Sequence, residues 1–131
     1  PALIRKFHEA KINKIGEVIV WGSGHPKREF LYVDDLAKAV VFSIENKLDK
    51  SIYNVGCGSD ISIKDLAIKI KSIVKFHGAI KWDISKPDGT QRKLIDSSRL
   101  NEYGWFPKYN LEKGIEKTYL WYKNNIEKLK K

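Results

Sequence analysis

Four short strand-like runs lie among five helix-like stretches in this chain, and that alternation restricts the fold more than any other feature. The runs are EVIVW (17–21), REFLYV (28–33), SIYNVG (51–56) and AIKWD (79–83). The helix-like stretches cover 1–14, 34–46, 62–76, the second half of 94–105 and 110–129. Strands interleaved with helices give an α/β architecture. Four strands are few for a complete doubly wound sheet, and a half-built sheet is what the tail of a larger α/β enzyme contains. The 131 residues include no Met, and the pattern opens directly on a helix. The chain is therefore expected to be a piece of a longer polypeptide.

Local signals mark the helix ends. Pro1 suits a first-turn position. Asp34 and Asp35 begin the second helix, where negative charge favours the helix dipole. Ser62 is placed to cap the third helix, with Asp65 three residues on in a capping-box pattern. Asp96 or Ser97 caps a short fourth helix that Gly104 ends, and Asn110 caps the last.

Composition narrows the class. With 42% hydrophobic residues the chain can bury a core. No apolar run approaches the roughly 18 residues that a membrane span needs, and no signal-peptide pattern is visible. The single cysteine, Cys57, cannot form an internal disulfide, which fits a reducing, cytoplasmic setting. The formal net charge of +9 raises nucleic acid, anionic membrane or a phosphorylated ligand as partners. The cations are spread over helix faces and the tail, so charge alone makes neither a nucleic-acid binder nor a membrane binder.

No catalytic residue, cofactor loop or metal site is expected. Cys57 lies between glycines after a strand-like run, where a small buried residue is the simpler reading than a nucleophile. His8, His25 and His77 are scattered, without dyad or metal-ligand spacing. No GxGxxG loop opens a βα unit. The Tyr-x-x-x-Lys pair of reductases is also expected to be missing: Tyr32, Tyr53 and Tyr103 are followed four residues on by Leu36, Cys57 and Pro107.

Two loops carry candidate binding chemistry. In VWGSGHPKREFLYVDD (20–35), Trp21 can stack on a flat ring, Arg28 can fork onto phosphate oxygens, and Gly22 and Gly24 let the backbone approach closely. A core-edge Trp with an ion-paired Arg is an equally good reading from spacing alone. In SKPDGTQRK (85–93), Asp88 can accept from sugar or ribose hydroxyls, and Arg92 and Lys93 can meet a diphosphate. Alone, that loop reads as a Pro-Asp-Gly turn flanked by solvated charge. The two loops together favour a nucleotide-sugar.

PALIRKFHEA, WGSGHPKREFLYVDD, YNVGCG and SKPDGTQRKLID, in this order from Pro1 to about Asn124, resemble the GDP-L-fucose synthase family of extended short-chain dehydrogenase/reductases. The resemblance implies a carboxy-terminal, substrate-binding portion over 1–131: a substrate lobe plus a last strand (YNVG) and helix of a Rossmann sheet. It implies a role in converting GDP-4-keto-6-deoxy-D-mannose to GDP-L-fucose by 3,5-epimerisation and NADPH-dependent 4-reduction. Lys6, Trp21, Arg28, Asp88 and Lys93 stand at substrate-binding positions, with Lys6 where close bacterial members carry Arg. In the family the NADP-binding glycine loop, the Ser-Tyr-Lys triad and the epimerising Cys and His all precede the position of Pro1. Cys57 does not match that Cys. The isolated chain is accordingly expected to bind NADP(H) poorly and to be inactive, while the whole enzyme is a homodimer acting on a GDP-sugar. The alternatives are a piece of another nucleotide-sugar epimerase or dehydratase, a basic nucleic-acid-binding domain, or a remnant with no ligand.

Overall fold

A computed structural model describes residues 1–49 and 52–129. The order is α1 (Ala2–Ile12), β1 (Glu17–Trp21), β2 (Lys27–Glu29), α2 (Val33–Glu45), β3 (Asp60–Ser62), α3 (Ile63–Val74), β4 (Ala79–Asp83), β5 (Arg92–Lys93), α4 (Ser98–Glu102) and α5 (Leu111–Leu129). The α/β architecture expected from the sequence is present.

The main core forms where α1, α3 and α5 cover one face of a two-stranded parallel sheet. β1 pairs with β4 from Glu17↔Ala79 to Trp21↔Asp83. Successive strand residues point to opposite faces. Val18 and Val20 are therefore buried while Ile19 and Trp21 look outward. Ile4, Phe7 and Ala10 follow the helical period on α1, and Leu66, Ala67, Ile70 and Val74 do so on α3. Ile115 and Tyr119 of α5 complete the cluster. His8 ties α1 to α5: its Nδ1 lies 3.2 Å from the Tyr119 hydroxyl, and its ring meets Tyr119 and Tyr122 edge-on. A smaller cluster gathers Ala39, Leu100 and Trp105.

The caps expected at α3 and α5 form, whereas Ser97, the N-cap of α4, makes no side-chain cap bond. The Asp65 N–H donates to Ser62 Oγ at 3.0 Å, and that hydroxyl donates to the Asp65 carboxylate at 2.6 Å. The Lys113 N–H donates to Asn110 Oδ1 at 2.9 Å. At the fourth helix the Asp96 carboxylate accepts from the Ser98 N–H at 2.9 Å.

Three expectations change. Residues 52–56 form no strand, and Ser51 lies outside the described residues. A strand needs a neighbour to fill its ladder. In this segment the Asn54 side chain instead donates to the Asp96 carbonyl at 2.9 Å. The run at 28–33 is extended in the sheet only through Glu29, because the chain leaves β2 to start α2. Conversely, β3 and β5, read as loop, become strands by pairing with the two sides of β2.

Helix α2 is oriented against its own composition. Asp35 and Ala39 face inward, while Val33, Leu36, Val40, Val41 and Ile44 are exposed, Val40 by 53% and Ile44 by 78%. Soluble helices usually present such a stripe to a core. Because both side chains are more than half exposed, Val40→Lys and Ile44→Lys should each change the unfolding free energy by no more than about 0.5 kcal/mol. Urea titration of the 131-residue chain checks this. A loss above about 2 kcal/mol would mean that the stripe is packed inside the chain.

Among the described residues no helix is long and apolar enough to cross a membrane.

Candidate functional site

The site begins where β1 ends. The strand delivers Trp21 on its outward face, with the side chain 66% exposed. The Gly22 N–H then donates to the Asp83 carbonyl at 2.9 Å, carrying the β1–β4 pairing one residue into the turn. Gly22 has φ +82°, a left-handed conformation natural to glycine. A Cβ there would also collide with the Asp88 carboxylate. Gly24, at φ +80°, leaves room for the Trp82 ring, which would lie 2.7 Å from its Cβ.

The second loop closes on this turn. Asp88 Oδ1 accepts from the Ser23 N–H at 2.8 Å, and Oδ2 accepts from Ser23 Oγ at 2.5 Å. The Ser23 hydroxyl and amide, aided by nearby His25, hold the Asp88 carboxyl below its ordinary value of 3.8, which favours the charged form. Next to it, Gly89 abuts Arg28: a Cβ at Gly89 would stand 3.1 Å from Arg28 Nη2.

Cations converge on the same region. The Lys6 ammonium of α1 donates to the Ile19 carbonyl at 3.0 Å and lies 5.7 Å from the centre of the Trp21 ring. Lys86 approaches that ring at the same distance. These are cation–π separations. Arg28 and Lys93 are register partners on the parallel strands β2 and β5, so their side chains leave the same face. Arg28 donates to the neighbouring Lys27 carbonyl at 2.6 Å. Among the described residues neither Arg28 nor Lys93 is ion-paired. Arg92 leaves the opposite face and pairs with Asp60. The structure thus separates the two neighbouring cations of the second loop into one that is spent on an ion pair and one that is available.

All five residues singled out from the sequence lie on this one side-chain cluster or its sheet edge. Lys6 and Trp21 touch each other, Asp88 clasps the turn, and Arg28 and Lys93 stand side by side. Sequence reasoning missed Ser23, which holds Asp88, and Lys86, which shares Trp21. Both sit inside the two quoted loops, so the loops were the signal. It also missed Glu29, whose carboxylate accepts from the N–H groups of Cys57 at 2.6 Å, Gly58 at 2.8 Å and Ile95 at 3.2 Å. A solvent-facing aromatic beside unpaired cations can hold a flat ring joined to an anionic chain.

One expectation is corrected by the chain itself. Two Tyr-x-x-x-Lys spacings exist, Tyr109 to Lys113 and Tyr119 to Lys123. Neither forms a reductase-like pair. Lys113 bonds to Glu116 at 2.9 Å. Tyr119 is buried in the α1–α5 core, where desolvation raises its hydroxyl above the ordinary 10.0, while a proton-relaying tyrosine needs the reverse.

The glycine turns offer few free amides to the pyrophosphate of a dinucleotide. Two Gly-x-Gly turns are present: at Gly56–Gly58 the amides of Cys57 and Gly58 are already taken by Glu29, and at Gly22–Gly24 the amide of Ser23 is taken by Asp88. Among the described residues no group of three or more His, Cys, Asp or Glu could hold a metal ion.

Residues 1–56 match the NAD dependent epimerase/dehydratase family. A probable GDP-L-fucose synthase 1 from Oryza sativa subsp. japonica is 53% identical over 131 residues, covering 100% of this chain and 40% of the relative. Among solved structures, a GDP-mannoheptose C4 reductase from Campylobacter jejuni with NADP bound is 38% identical, with TM-score 0.81 over 94% of this chain and 44% of that one. A GDP-L-fucose synthetase from Naegleria fowleri bound to NADP is 28% identical, with TM-score 0.90 over 97% of this chain and 40% of that one. The chain spans about 40% of the length of the curated relative it matches. Its fold is that of the corresponding part of extended short-chain GDP-sugar reductases and epimerases.

Proposed function

We propose that this chain is the carboxy-terminal, GDP-sugar-binding portion of a GDP-L-fucose synthase. The whole enzyme would convert GDP-4-keto-6-deoxy-D-mannose to GDP-L-fucose by 3,5-epimerisation and NADPH-dependent 4-reduction. The observation that carries this reading is the convergence of two loops some 65 positions apart onto one cationic, aromatic surface. Similarity to GDP-L-fucose synthases along the entire chain supports it.

In this reading Arg28 forks onto the diphosphate, where its planar guanidinium matches two oxygens. Lys93 adds a second positive charge from the neighbouring strand. Trp21 offers a stacking face, and Lys6 supplies a point charge at its edge. Asp88 belongs to the same site as the residue that fixes the second loop. Holding the nucleotide handle orients the keto-sugar, which is how binding far from the reacting carbons assists catalysis.

The reacting groups and the NADP site are assigned to the part of the relatives that this chain does not span, so the chain alone would be inactive. The engagement of the Gly56–Gly58 turn by Glu29 supports that assignment. So does the outward apolar stripe of α2, a surface suited to packing against further polypeptide. On the family resemblance the whole enzyme is a cytoplasmic homodimer.

Calorimetric titration of GDP, UDP and a short oligonucleotide into the chain tests the proposal. GDP binding that exceeds UDP binding is the expected result. UDP preferred over GDP would favour another nucleotide-sugar enzyme. Tight oligonucleotide binding with a steep salt dependence, and GDP ignored, would replace the reading with a nucleic-acid-binding one.

A further inference from the structure

We infer that Glu29 is a positioning residue for the diphosphate-binding cations: it clasps the far side of the β3–β2–β5 sheet and so holds Lys93 beside Arg28, without touching the ligand; the inference rests on the GDP-sugar reading of the site. The ladder it reinforces is short. β2 and β5 pair only through Lys27↔Arg92 and Arg28↔Lys93. So short a ladder specifies register weakly, and a slip of one residue would turn Lys93 away from the face of Arg28 and bring Arg92 there instead. Where the ladder stops, the Glu29 side chain continues it. Its Oε2 accepts from the Ile95 N–H at 3.2 Å, two residues past Lys93. Its Oε1 accepts from the N–H groups of Cys57 at 2.6 Å and Gly58 at 2.8 Å, so the same carboxylate ties in the turn that leads to β3. Gly56 leaves room for this: a Cβ there would stand 2.5 Å from Glu29 Oε1 and 2.9 Å from Ile95 Cγ1.

Charge and alternation support the same assignment. Successive strand residues leave opposite faces, which puts Glu29 on the side of the sheet away from Arg28 and Lys93. Asp60 stands opposite Glu29 on β3. Two carboxylates directly opposite on antiparallel strands repel unless each is engaged. Asp60 is engaged by Arg92, and Glu29 by three backbone N–H groups. One face of the sheet is thus clasped across all three strands, and the other presents Arg28 and Lys93.

The test titrates GDP into the wild-type chain and into Glu29→Gln, Gly56→Ala, Lys93→Ala and the Glu29→Gln/Lys93→Ala double variant. Glu29→Gln keeps the size of the side chain, but its amide nitrogen must face an N–H donor, so part of the clasp opens. GDP binding should weaken about 5-fold. The sign is diagnostic, because removing a negative charge near a diphosphate would by electrostatics alone strengthen binding. Gly56→Ala, which changes no charge, should weaken binding by a similar factor. Lys93→Ala should weaken it about 10-fold. The double variant should be no more than about 2-fold weaker than Lys93→Ala, because Glu29 acts through Lys93. Unchanged or tighter GDP binding in Glu29→Gln or Gly56→Ala, or a Glu29→Gln loss that multiplies fully with that of Lys93→Ala, would overturn the inference. A urea midpoint that falls in Glu29→Gln while GDP affinity holds would likewise reduce Glu29 to a purely structural role. NMR without ligand separates the clasp from the site. In Glu29→Gln the Ile95 amide signal should move and the cross-strand Overhauser contacts between Arg28 and Lys93 should weaken. Contacts that persist at full strength overturn the clasp on their own. A wild-type chain that ignores GDP overturns the reading of the site, and the ligand arm of this inference with it.

Discussion

Phe7→Ala should lower the unfolding free energy of this chain by about 3–5 kcal/mol, the range for removing a fully buried aromatic side chain. Phe7 is 0% exposed, lies among the α1, α3 and β1 side chains, and meets Phe76 with ring centres 5.6 Å apart at 51°. A domain of ordinary stability has about 5–15 kcal/mol in total. The substitution therefore removes a large share of it, and the urea midpoint should drop steeply. Phe7→Leu, which keeps most of the volume, should lose less than Phe7→Ala. A loss below about 1 kcal/mol for Phe7→Ala would show that α1 is not docked on β1 and α3 as described. The effect reaches the binding surface, because Lys6 is the neighbouring residue on α1 and owes its position at Trp21 to that docking.

The second large effect concerns binding. Arg28→Ala should weaken GDP affinity about 10- to 100-fold, the cost of losing a charge-assisted, two-pronged contact. Arg28→Lys should recover only part of it, since an ammonium cannot fork onto two oxygens. The fold should be indifferent: Arg28 makes one side-chain hydrogen bond, to its neighbour Lys27, and no ion pair among the described residues. Calorimetry gives the affinity, and a urea midpoint recorded beside it separates binding from stability. Unchanged affinity for GDP in Arg28→Ala would remove Arg28 from the site.

Helices α1, α3 and α5 were legible because their apolar residues recur at helical spacing, with Pro1 opening α1 and polar caps opening α3 and α5. Ser62 and Asn110 cap α3 and α5 as their positions suggest. β1 and β4 were legible as dense β-branched or aromatic runs. β3 and β5 were not, because three- and two-residue strands have no pattern of their own and exist only as neighbours of β2. The segment at 52–56 shows the converse, a strand-like composition with no strand beside it. Local pattern cannot say which partner a strand will find.

The site divides the same way. Trp21, Arg28, Asp88 and Lys93 could be singled out by residue type within two unusual loops. What each does depends on contacts far apart in the chain. Asp88 meets Ser23 across 65 positions, and Lys6 reaches the Ile19 carbonyl across 13. Arg92 and Lys93 are equivalent in sequence, and only strand register sends one to Asp60 and the other to the side of Arg28. The Tyr-x-x-x-Lys spacing shows the opposite hazard: it occurs twice, and burial of Tyr119 and the Glu116 contact of Lys113 deprive it of meaning.

The most direct measurement of the central claim is a backbone amide map of the 131-residue chain by NMR during titration with GDP. The expected result is a set of shifts concentrated at Trp21–Ser23, Arg28, Gly89 and Lys93, with the lysine-rich outer face of α3 unmoved. Shifts spread over that face, or confined to the α5 end of the chain while β2 and β5 stay still, would contradict the account and leave the basic charge of the chain as the only thing GDP had found.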